Sequence, residues 1–374
     1  MTAGRLTICL DARVALGNRR GWGRYASELA AALAREEAIE VIVLLPTSDA
    51  ASEFQGSIAG INRLSSVTTP YQPDAPDAFW TCAGAGPPDD FVGSVDLIHS
   101  LTRFVQPGVH SPTVVTIHDI APLSPTPYKP HYAAATRKAL ELIKTHRCGI
   151  IAVSQATKDE VLREGTLSGS EITVIHEAAA DVFHHPVRTS GRPSSHGYFL
   201  CVGGAGPNKN LERLWEAITL LRERGTEVEL VFAGSEEWGY DQLPFVSSTQ
   251  QTARFVRHVT DAELANLYAN ATALILPSLH EGFGLPIVEA IACGTPILCS
   301  DIPPFRELAQ SCAIFFDPLR PDSIASAIQG CLASTDLRAR FIERSGRLRP
   351  RFTWSRVAQE TLNLYRRFLE RQPI

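Results

Sequence analysis

Short apolar runs alternate along the chain with segments whose apolar residues recur at helical spacing. Residues 6–10 and 114–118 have the length and composition of buried strands, whereas residues 24–35 and 132–145 show the period of amphipathic helices. This alternation predicts an α/β fold of parallel strands joined by covering helices. Further strands are predicted at residues 41–45, 95–99, 150–153, 172–175, 198–202, 228–232, 255–259, 273–276, 297–299 and 313–316, and further helices at 210–224 and 261–270.

The alternation is interrupted in two places. Residues 184–197 are rich in Pro, Gly and Ser and lack an apolar period, as is typical of an interdomain linker. Residues 47–92 have a similar composition, and we expect an irregular insertion there. The chain is therefore predicted to form two Rossmann-like, doubly wound domains, residues 1–188 and 197–354, whose sheets face a central cleft with their carboxyl ends.

Composition narrows the classes of function. The 374 residues carry a formal net charge of -5, which gives no general attraction to nucleic acid. Eight cysteines are scattered without a C-x-x-C pair, so they predict small buried side chains rather than disulfides or a metal site. Residues 1–17 contain neither a signal-peptide core nor a membrane-spanning run, and we expect a cytoplasmic protein.

The segment 277–307 carries the strongest indication of chemistry. Pro286 fits the first turn of a helix, and Gly294 fits the position just beyond its end. The loop before that helix offers backbone N–H groups at a helix N-terminus, which is a natural site for a phosphate. The loop consists of Gly282, Phe283, Gly284 and Leu285.

Two glutamates flank this loop. Glu289 lies in an otherwise apolar helix, where an unpaired charge is costly, so the two hydroxyl groups of a ribose are suitable partners for it. Glu281 precedes the helix and should address another part of the same extended ligand. The alternative is structural: an ion pair between Glu289 and a neighbouring arginine, with Glu281 as an ordinary loop carboxylate. The glycine loop favours the ligand-binding interpretation.

The motif E-G-F-G-L-P-x-x-E-A-x-A-C-G-T-P, which begins at Glu281, resembles the signature of retaining glycosyltransferase family 4, whose fold is GT-B. The resemblance extends over essentially the whole chain. It implies that Glu281 contacts the transferred sugar, that the backbone of Phe283, Gly284 and Leu285 contacts the sugar and distal phosphate, and that Glu289 binds the ribose. It also implies that residues 355–374 form a terminal helix that crosses back to the first domain.

A second phosphate site is indicated by residues 202–211, V-G-G-A-G-P-N-K-N-L, where a strand ends in glycines before a helix. Lys209 can neutralise a diphosphate there, although an isolated lysine at such a place is more often solvated. The segment resembles the family pattern G-x-x-x-P-R-K-N, in which Asn208 replaces the arginine. By the same resemblance, Gly234 and Val259 lie beside the nucleotide base.

Two features of the first half complete the predicted site. His118 follows a strand at the carboxyl edge of the sheet, where it can bind a sugar hydroxyl, handle a proton or simply cap the next loop. The family resemblance favours a place in the sugar pocket. Gly21 and Gly23 belong to a turn similar to the family's G-G-x-G-R-Y, so we assign both glycines to the cleft.

The resemblance implies a metal-independent enzyme that transfers a hexose from a nucleotide-diphosphate sugar to a glycan or lipid-linked oligosaccharide. The sequence looks most like the mannosyltransferase-like branch of bacterial surface-polysaccharide synthesis, with GDP-mannose as the first donor to test. Glucose, rhamnose or fucose activated by UDP, dTDP or GDP are the alternatives. A GT-B phosphorylase, a sugar-nucleotide epimerase and a non-catalytic sugar-nucleotide sensor are the rival classes. A peripheral contact with the inner face of the cytoplasmic membrane remains open.

Overall fold

A computed structural model of the chain describes residues 5–17, 21–47, 49–58, 60–71, 86–124, 128, 130–187, 197–234, 253–257 and 259–372. The chain forms two compact units. The first unit consists of Met1–Glu177 together with Trp354–Ile374, and the second consists of Ala178–Thr353. The second unit is therefore inserted between two segments of the first.

The first unit contains a sheet of seven parallel strands in the order β3-β2-β1-β4-β5-β6-β7. The strand order reverses between β1 and β4, which creates the crevice where ligands of such sheets bind. Central strands such as β5 are buried along their whole length, as expected when helices cover both faces. The strands are β1 (Leu6–Asp11), β2 (Ile39–Leu45), β3 (Leu64–Thr68), β4 (Leu97–Ser100), β5 (Thr113–Ile117), β6 (Gly149–Ala152) and β7 (Ile172–Val174).

The described residues of the first unit contain six helices. Local signals set their ends: Ser154 accepts a hydrogen bond from the Thr157 N–H at the start of α5, and Gly165 ends that helix in the left-handed conformation. The last helix, α12, packs against α1. The helices are α1 (Trp22–Ala34), α2 (Asp49–Ile58), α3 (Asp89–Val92), α4 (Pro130–Thr145), α5 (Gln155–Glu164) and α12 (Trp354–Leu369).

The second unit contains six parallel strands in the order β10-β9-β8-β11-β12-β13, with the reversal between β8 and β11. Its strands are β8 (Phe199–Val202), β9 (Leu230–Gly234), β10 (Ala253–Arg257), β11 (Ala273–Leu276), β12 (Ile297–Ser300) and β13 (Ile314–Phe316). Its helices are α6 (Leu211–Glu223), α7 (Asp261–Asn270), α8 (Leu285–Cys293), α9 (Pro303–Ala309), α10 (Pro321–Ala333) and α11 (Leu337–Gly346). One apolar core lies between this sheet, α6 and α10.

The predicted α/β alternation is confirmed, with strand ends shifted by up to two residues. The expectation of an irregular stretch over 47–92 is wrong for its described part, which contains the helix α2 and the strand β3, and β3 extends the sheet beside β2. This strand escapes pattern analysis because it lies at the sheet edge, where Ser65 and Ser66 do not need to be apolar. Residues 72–85 lie outside the described residues.

The first crossing between the units falls at Glu177, earlier than the predicted boundary at residue 188. The reason is Phe183, whose ring lies 5.9 Å from the Tyr268 ring and whose carbonyl accepts a hydrogen bond from Cys293 Sγ at 3.2 Å. Residues 188–196 of the predicted linker lie outside the described residues. Within the described chain, none of the helices has the length and hydrophobicity needed to cross a lipid bilayer.

Candidate active site

The loops that follow β8 and β11 carry the main predicted site of the second unit. These two strands are neighbours at the point where the strand order reverses, so their carboxyl ends border one crevice of the sheet. Lys209 lies on the loop after β8, and Glu281 lies on the loop after β11. Sequence motifs 72 residues apart are thereby brought to one edge.

Lys209 and Glu281 are in direct contact. Lys209 Nζ donates a hydrogen bond to Glu281 Oε1 at 2.6 Å, and the two side chains are 27% and 18% exposed. The same carboxylate oxygen accepts a second hydrogen bond from Ser278 Oγ at 2.7 Å. The partly buried ammonium of Lys209 therefore lies at the edge of the sheet, and its charge is balanced by the Glu281 carboxylate. This ammonium can also bind a diphosphate.

Asparagines fix the two loops to each other. Asn208 Nδ2 donates to the His280 carbonyl at 3.2 Å, and the Asn208 carbonyl accepts from the Leu279 N–H at 2.7 Å. Asn210 adopts the left-handed conformation at φ +56° and donates to the Pro277 carbonyl at 2.9 Å. Asn208, which stands where the family has an arginine, thus holds the loop that carries Glu281.

The glycine loop lies directly before α8. Gly284 has φ +120°, a conformation that side chains rarely adopt, and a Cβ atom there would lie 2.9 Å from the Phe305 ring. Phe283 is buried, so the loop is anchored by its aromatic ring while its backbone forms the N-terminal end of the helix. Gly294 ends α8 at φ +68°, as the sequence predicted.

Glu289 is buried within α8, and the Tyr268 hydroxyl donates a hydrogen bond to its Oε2 atom at 2.7 Å. The expectation that this carboxylate needs a hydrogen-bond donor is therefore met at one oxygen by a side chain of α7. The alternative stated from the sequence was an ion pair between Glu289 and an arginine, whereas the partner in this contact is a tyrosine.

Gly234 and Val259 mark the neighbouring strands of the same sheet. Gly234 is the last residue of β9 and pairs in register with Arg257 of β10. Val259 follows β10 by two positions and is buried. Gly234 therefore ends a strand rather than lying on a loop, Val259 lies just beyond a strand, and both are on the β9–β10 side of the second unit.

In the first unit, His118 follows β5 immediately and is buried. Its Nε2 atom lies 3.0 Å from the Leu101 carbonyl oxygen, and its Nδ1 atom lies 2.8 Å from Glu177 Oε1. Because a carbonyl can only accept, Nε2 carries a proton and donates it. Nδ1 faces the Glu177 carboxylate. The predicted imidazole is thus fully engaged within its own unit.

The turn that contains Gly21 and Gly23 also reaches His118. Gly21 precedes α1, Gly23 lies in its first turn, and the residue between them, Trp22, stacks on the His118 ring with centroids 5.6 Å apart. Tyr25 packs edge-on against the same ring at 4.8 Å. The structure therefore brings two separately predicted features of the first unit together.

A buried hydrogen-bonded chain lies beneath these aromatic rings. The Tyr365 hydroxyl of α12 lies 2.6 Å from His99 Nδ1, and His99 Nε2 lies 2.8 Å from Thr116 Oγ1. Thr116 Oγ1 in turn lies 2.9 Å from the Tyr25 hydroxyl. Burial lowers the pKa of His99 to about 3, and the charge of the neighbouring histidine at 118 adds to the effect. His99 is consequently neutral.

Two buried arginines at this edge of the first unit were not predicted from the sequence. Arg13 forms a two-pronged ion pair with Asp11, with Nη2 2.8 Å from Oδ2, immediately after β1. Arg103 lies with its guanidinium over the Trp22 ring at 5.5 Å. Their positions just after the buried strands β1 and β4 could have identified them in the sequence, because charged residues there lie at the ligand-binding edge of the sheet.

No group of three His, Cys, Asp or Glu side chains suited to a metal ion occurs among the residues that the structure describes. Glu177, Ser278 and Tyr268 are further side chains that the sequence analysis did not assign. Each is a hydrogen-bond partner of a predicted site residue. The partners could not be chosen from sequence because they come from other loops and helices.

Two Rossmann-like units with these loops at their sheet edges define the GT-B class of fold. Residues 19–179 match the family model "Glycosyltransferase Family 4", and residues 187–347 match "Glycosyl transferases group 1". Together the two matches span most of both units. The chain is a glycosyltransferase and belongs to this family, which confirms the resemblance stated from the sequence.

Similar proteins agree with this assignment. The chain is 27% identical over 287 residues to O-antigen chain mannosyltransferase B of Escherichia coli, covering 72% of this chain and 74% of that protein. It is 28% identical to O-antigen chain mannosyltransferase RfbU of Salmonella typhimurium over 61% of this chain, and it spans 63% of that relative's length.

Solved structures show the same fold. The sucrose-phosphate synthase of Thermosynechococcus elongatus superimposes with a TM-score of 0.73 at 18% identity, covering 98% of this chain and 100% of that one. WaaG, a glycosyltransferase involved in lipopolysaccharide biosynthesis, gives a TM-score of 0.69 at 13% identity, with 96% and 99% coverage. The predicted GT-B fold is therefore confirmed.

Proposed function

We propose that the chain transfers mannose from GDP-mannose to a glycan or lipid-linked oligosaccharide during polysaccharide synthesis, with retention of the anomeric configuration. The contact between Lys209 and Glu281 at the strand-order reversal is the observation that carries this proposal. The O-antigen mannosyltransferases similar to this chain support the choice of sugar. We further propose a cytoplasmic enzyme that needs no metal ion.

In the proposed reaction, the bond between the anomeric carbon and the distal phosphate oxygen breaks while the acceptor oxygen forms the new bond on the same face. The departing phosphate takes the acceptor's proton, so no protein base is required. Lys209 and the backbone N–H groups of the loop before α8 stabilise the negative charge that develops on the diphosphate. Catalysis then rests on preorganised positive charge.

The two glutamates have separate roles in this proposal. Glu281 binds hydroxyl groups of the sugar, and its contacts with Lys209 and Ser278 hold the carboxylate in one orientation. Glu289 binds the ribose while Tyr268 keeps its other oxygen hydrogen-bonded. Each carboxylate therefore combines a fixed protein partner with a ligand hydroxyl.

In this proposal His118 binds a hydroxyl group of the sugar. Because both ring nitrogens already face acceptors, a sugar hydroxyl that binds this side chain has to replace the Leu101 carbonyl or Glu177. The histidine would then donate a hydrogen bond to the sugar. This role is hydrogen bonding to the sugar, and it requires no free base.

The test begins with the donor. GDP, UDP, ADP and dTDP are compared for their effect on thermal unfolding; a ligand at a hundred times its Kd stabilises the folded state by about 2.7 kcal/mol. GDP should give the largest shift. GDP-mannose is then incubated with a lipid-linked oligosaccharide acceptor, with and without EDTA, and the released GDP and the anomer of the product are measured.

Selective stabilisation by UDP or dTDP would mean that the donor is a UDP-sugar or a dTDP-sugar rather than GDP-mannose, and the proposed transfer reaction would stand. Retention of configuration and full activity in EDTA are the expected results; inversion or loss of activity on chelation would refute those parts of the proposal. Donor binding without GDP release, over a panel of acceptors, would favour a sugar-nucleotide sensor, the rival class suggested by Asn208 in place of the family arginine.

A further inference from the structure

A cavity lies in the first unit, away from the edge that carries His118. It lies at the amino ends of β6 and β7, where Cys148 and Ser170 precede the two strands. His118 follows the carboxyl end of β5 in the same sheet, so the two places lie at opposite edges. The cavity has a volume of about 330 Å³, within the usual range for small-ligand sites.

The rim of this cavity is strongly basic. Of the charged residues that line it, four are basic, namely Lys144, Arg147, Arg367 and Arg371, and one is acidic, Glu171. Glu171 forms an ion pair with Arg371 in which both side chains are largely exposed. Three cations therefore remain over the cavity, although the whole chain carries a net charge of -5.

The floor of the cavity is apolar. Ile143, Cys148 and Leu364 are buried lining residues, and Phe368 of α12 closes one side. Phe368 fits there because residue 149 is a glycine: a Cβ atom at Gly149 would lie 3.1 Å from Phe368 Cδ2. A site with an apolar floor and a cationic rim matches a ligand that has an apolar part next to a negative group.

Two helices end at this rim, which offers a simpler explanation for the cations. Basic side chains at helix C-termini complement the helix dipole of α4 and α12 without any ligand. The φ of +51° at Arg147 also belongs to the helix end, because the Cys148 N–H closes α4 on the Ile143 carbonyl at 3.1 Å. The dipole explanation does not account for a cavity with an apolar floor between the two helix ends.

We infer that this cavity binds a phosphate-bearing amphiphile, with the phosphate between Arg147, Lys144 and Arg367 and the first part of an apolar chain against Phe368. The basic side chains at the rim bind the negative phosphate, and the apolar floor favours burial of the apolar chain. The site is argued from the first unit alone and does not rest on the proposed transfer reaction.

The test uses the full chain and calorimetric titration. The probes are dihexanoyl phosphatidylglycerol below its micelle concentration, glycerol 3-phosphate as the headgroup without chains, and dihexanoyl phosphatidylcholine as a zwitterionic control. We expect the phosphatidylglycerol to bind at least tenfold more tightly than either of the others. Equal affinity for glycerol 3-phosphate would reduce the site to a simple anion site and overturn the proposal, as would the absence of binding.

Charge-reversal variants locate the site. Arg147→Glu and Arg367→Glu should each weaken phosphatidylglycerol binding at least tenfold. Arg366→Glu is the matched control, because Arg366 is an exposed neighbour on the same helix that does not line the cavity, and its effect should stay below threefold. An equal loss in all three variants would indicate diffuse surface attraction and refute a defined pocket.

Vesicles distinguish the pocket from a membrane surface. Flotation with phosphatidylglycerol vesicles should show the same order of variants as the monomeric lipid. Binding to vesicles without binding to the monomer would overturn the pocket. Transfer to a water-soluble acceptor is the separate readout of the proposed function, and Arg367→Glu should leave it unchanged because this residue belongs to the opposite edge of the sheet.

Discussion

Replacing Glu281 by glutamine should separate the binding of the nucleotide from the transfer of the sugar. The Glu281 carboxylate balances the charge of Lys209 across 2.6 Å. Glutamine has nearly the same shape and keeps a carbonyl oxygen for the hydrogen bond, but it removes the negative charge. Lys209 then faces an incoming diphosphate without a competing anion.

The size of the effect follows from distances. A phosphate in contact with Lys209 Nζ would lie about 6 Å from the Glu281 carboxylate, because both anions share one ammonium. Repulsion between unit charges at that distance is about 0.7 kcal/mol in water and about 2.8 kcal/mol at an effective dielectric constant of 20. Since the side chains are partly exposed, we take about 1–2 kcal/mol, which is roughly a fivefold to thirtyfold change in Kd.

The assay combines titration calorimetry with GDP and steady-state transfer kinetics. Glu281→Gln should lower the Kd for GDP by roughly fivefold to thirtyfold and lower kcat by about a hundredfold or more, because the sugar loses a charged hydrogen-bond partner. Lys209→Met should raise the Kd, since the ammonium is lost. Glu212→Gln is the matched control: it removes one exposed carboxylate from the first turn of α6, and both constants should stay close to wild type.

Two results would refute this reasoning. Weaker GDP binding by Glu281→Gln would mean that the carboxylate supports the diphosphate rather than repelling it. Unchanged turnover would remove Glu281 from the sugar site. Thermal unfolding of each variant is recorded alongside, so that a folding defect is recognised as such.

Three further predictions concern stability. Burial lowers the pKa of His99 to about 3, so between about pH 6.5 and pH 3 the unfolded chain binds a proton at this residue and the folded chain does not. The free energy of unfolding should therefore fall by about 1.4 kcal/mol for each pH unit as the pH drops through this range. In urea unfolding, the stability advantage of the wild type over His99→Gln should shrink by about 2 kcal/mol between pH 7.5 and 5, and a constant difference would contradict the burial of the neutral ring. Gly284→Ala should destabilise the folded protein by about 1–3 kcal/mol, because Gly284 has φ +120° and lies beside the Phe305 ring. Gly330→Ala, in an open helical position, is the control and should be neutral or stabilising. Equal melting temperatures of the two variants would refute the strain at Gly284. Tyr268→Phe should cost about 1–3 kcal/mol in thermal unfolding because buried Glu289 loses a donor, and a wild-type melting temperature would show that the bond contributes little.

The fold was largely predictable because its strands are buried and its helices have clear ends. Pro286 and Gly294 marked the two ends of α8, and the structure places the helix between them. The strand β3 was not predictable in the same way, because an edge strand with serines at its centre satisfies its backbone through β2 without burying an apolar face. Periodicity detects burial, and a half-exposed edge strand has little of it.

The site was predictable as residue types but not as contacts. Lys209 and Glu281 were found from two separate motifs, while their contact depends on β8 and β11 being neighbours in the sheet. The partner of His118 illustrates the limit more sharply. Glu177 follows β7, which is separated from β5 by β6, so only the folded sheet edge shows that the two side chains meet.

The insertion of one unit within the other affects how the protein is made on the ribosome. Every residue of the second unit is synthesised before Trp354, whereas the first unit receives α12, with Tyr365 and its bond to His99, only after the whole second unit has been made. The first unit therefore begins before the second unit and is completed after it. A nascent chain that stalls before residue 354 lacks α12, so the face of α1 that packs against this helix stays uncovered, and exposed apolar surface is what chaperones bind.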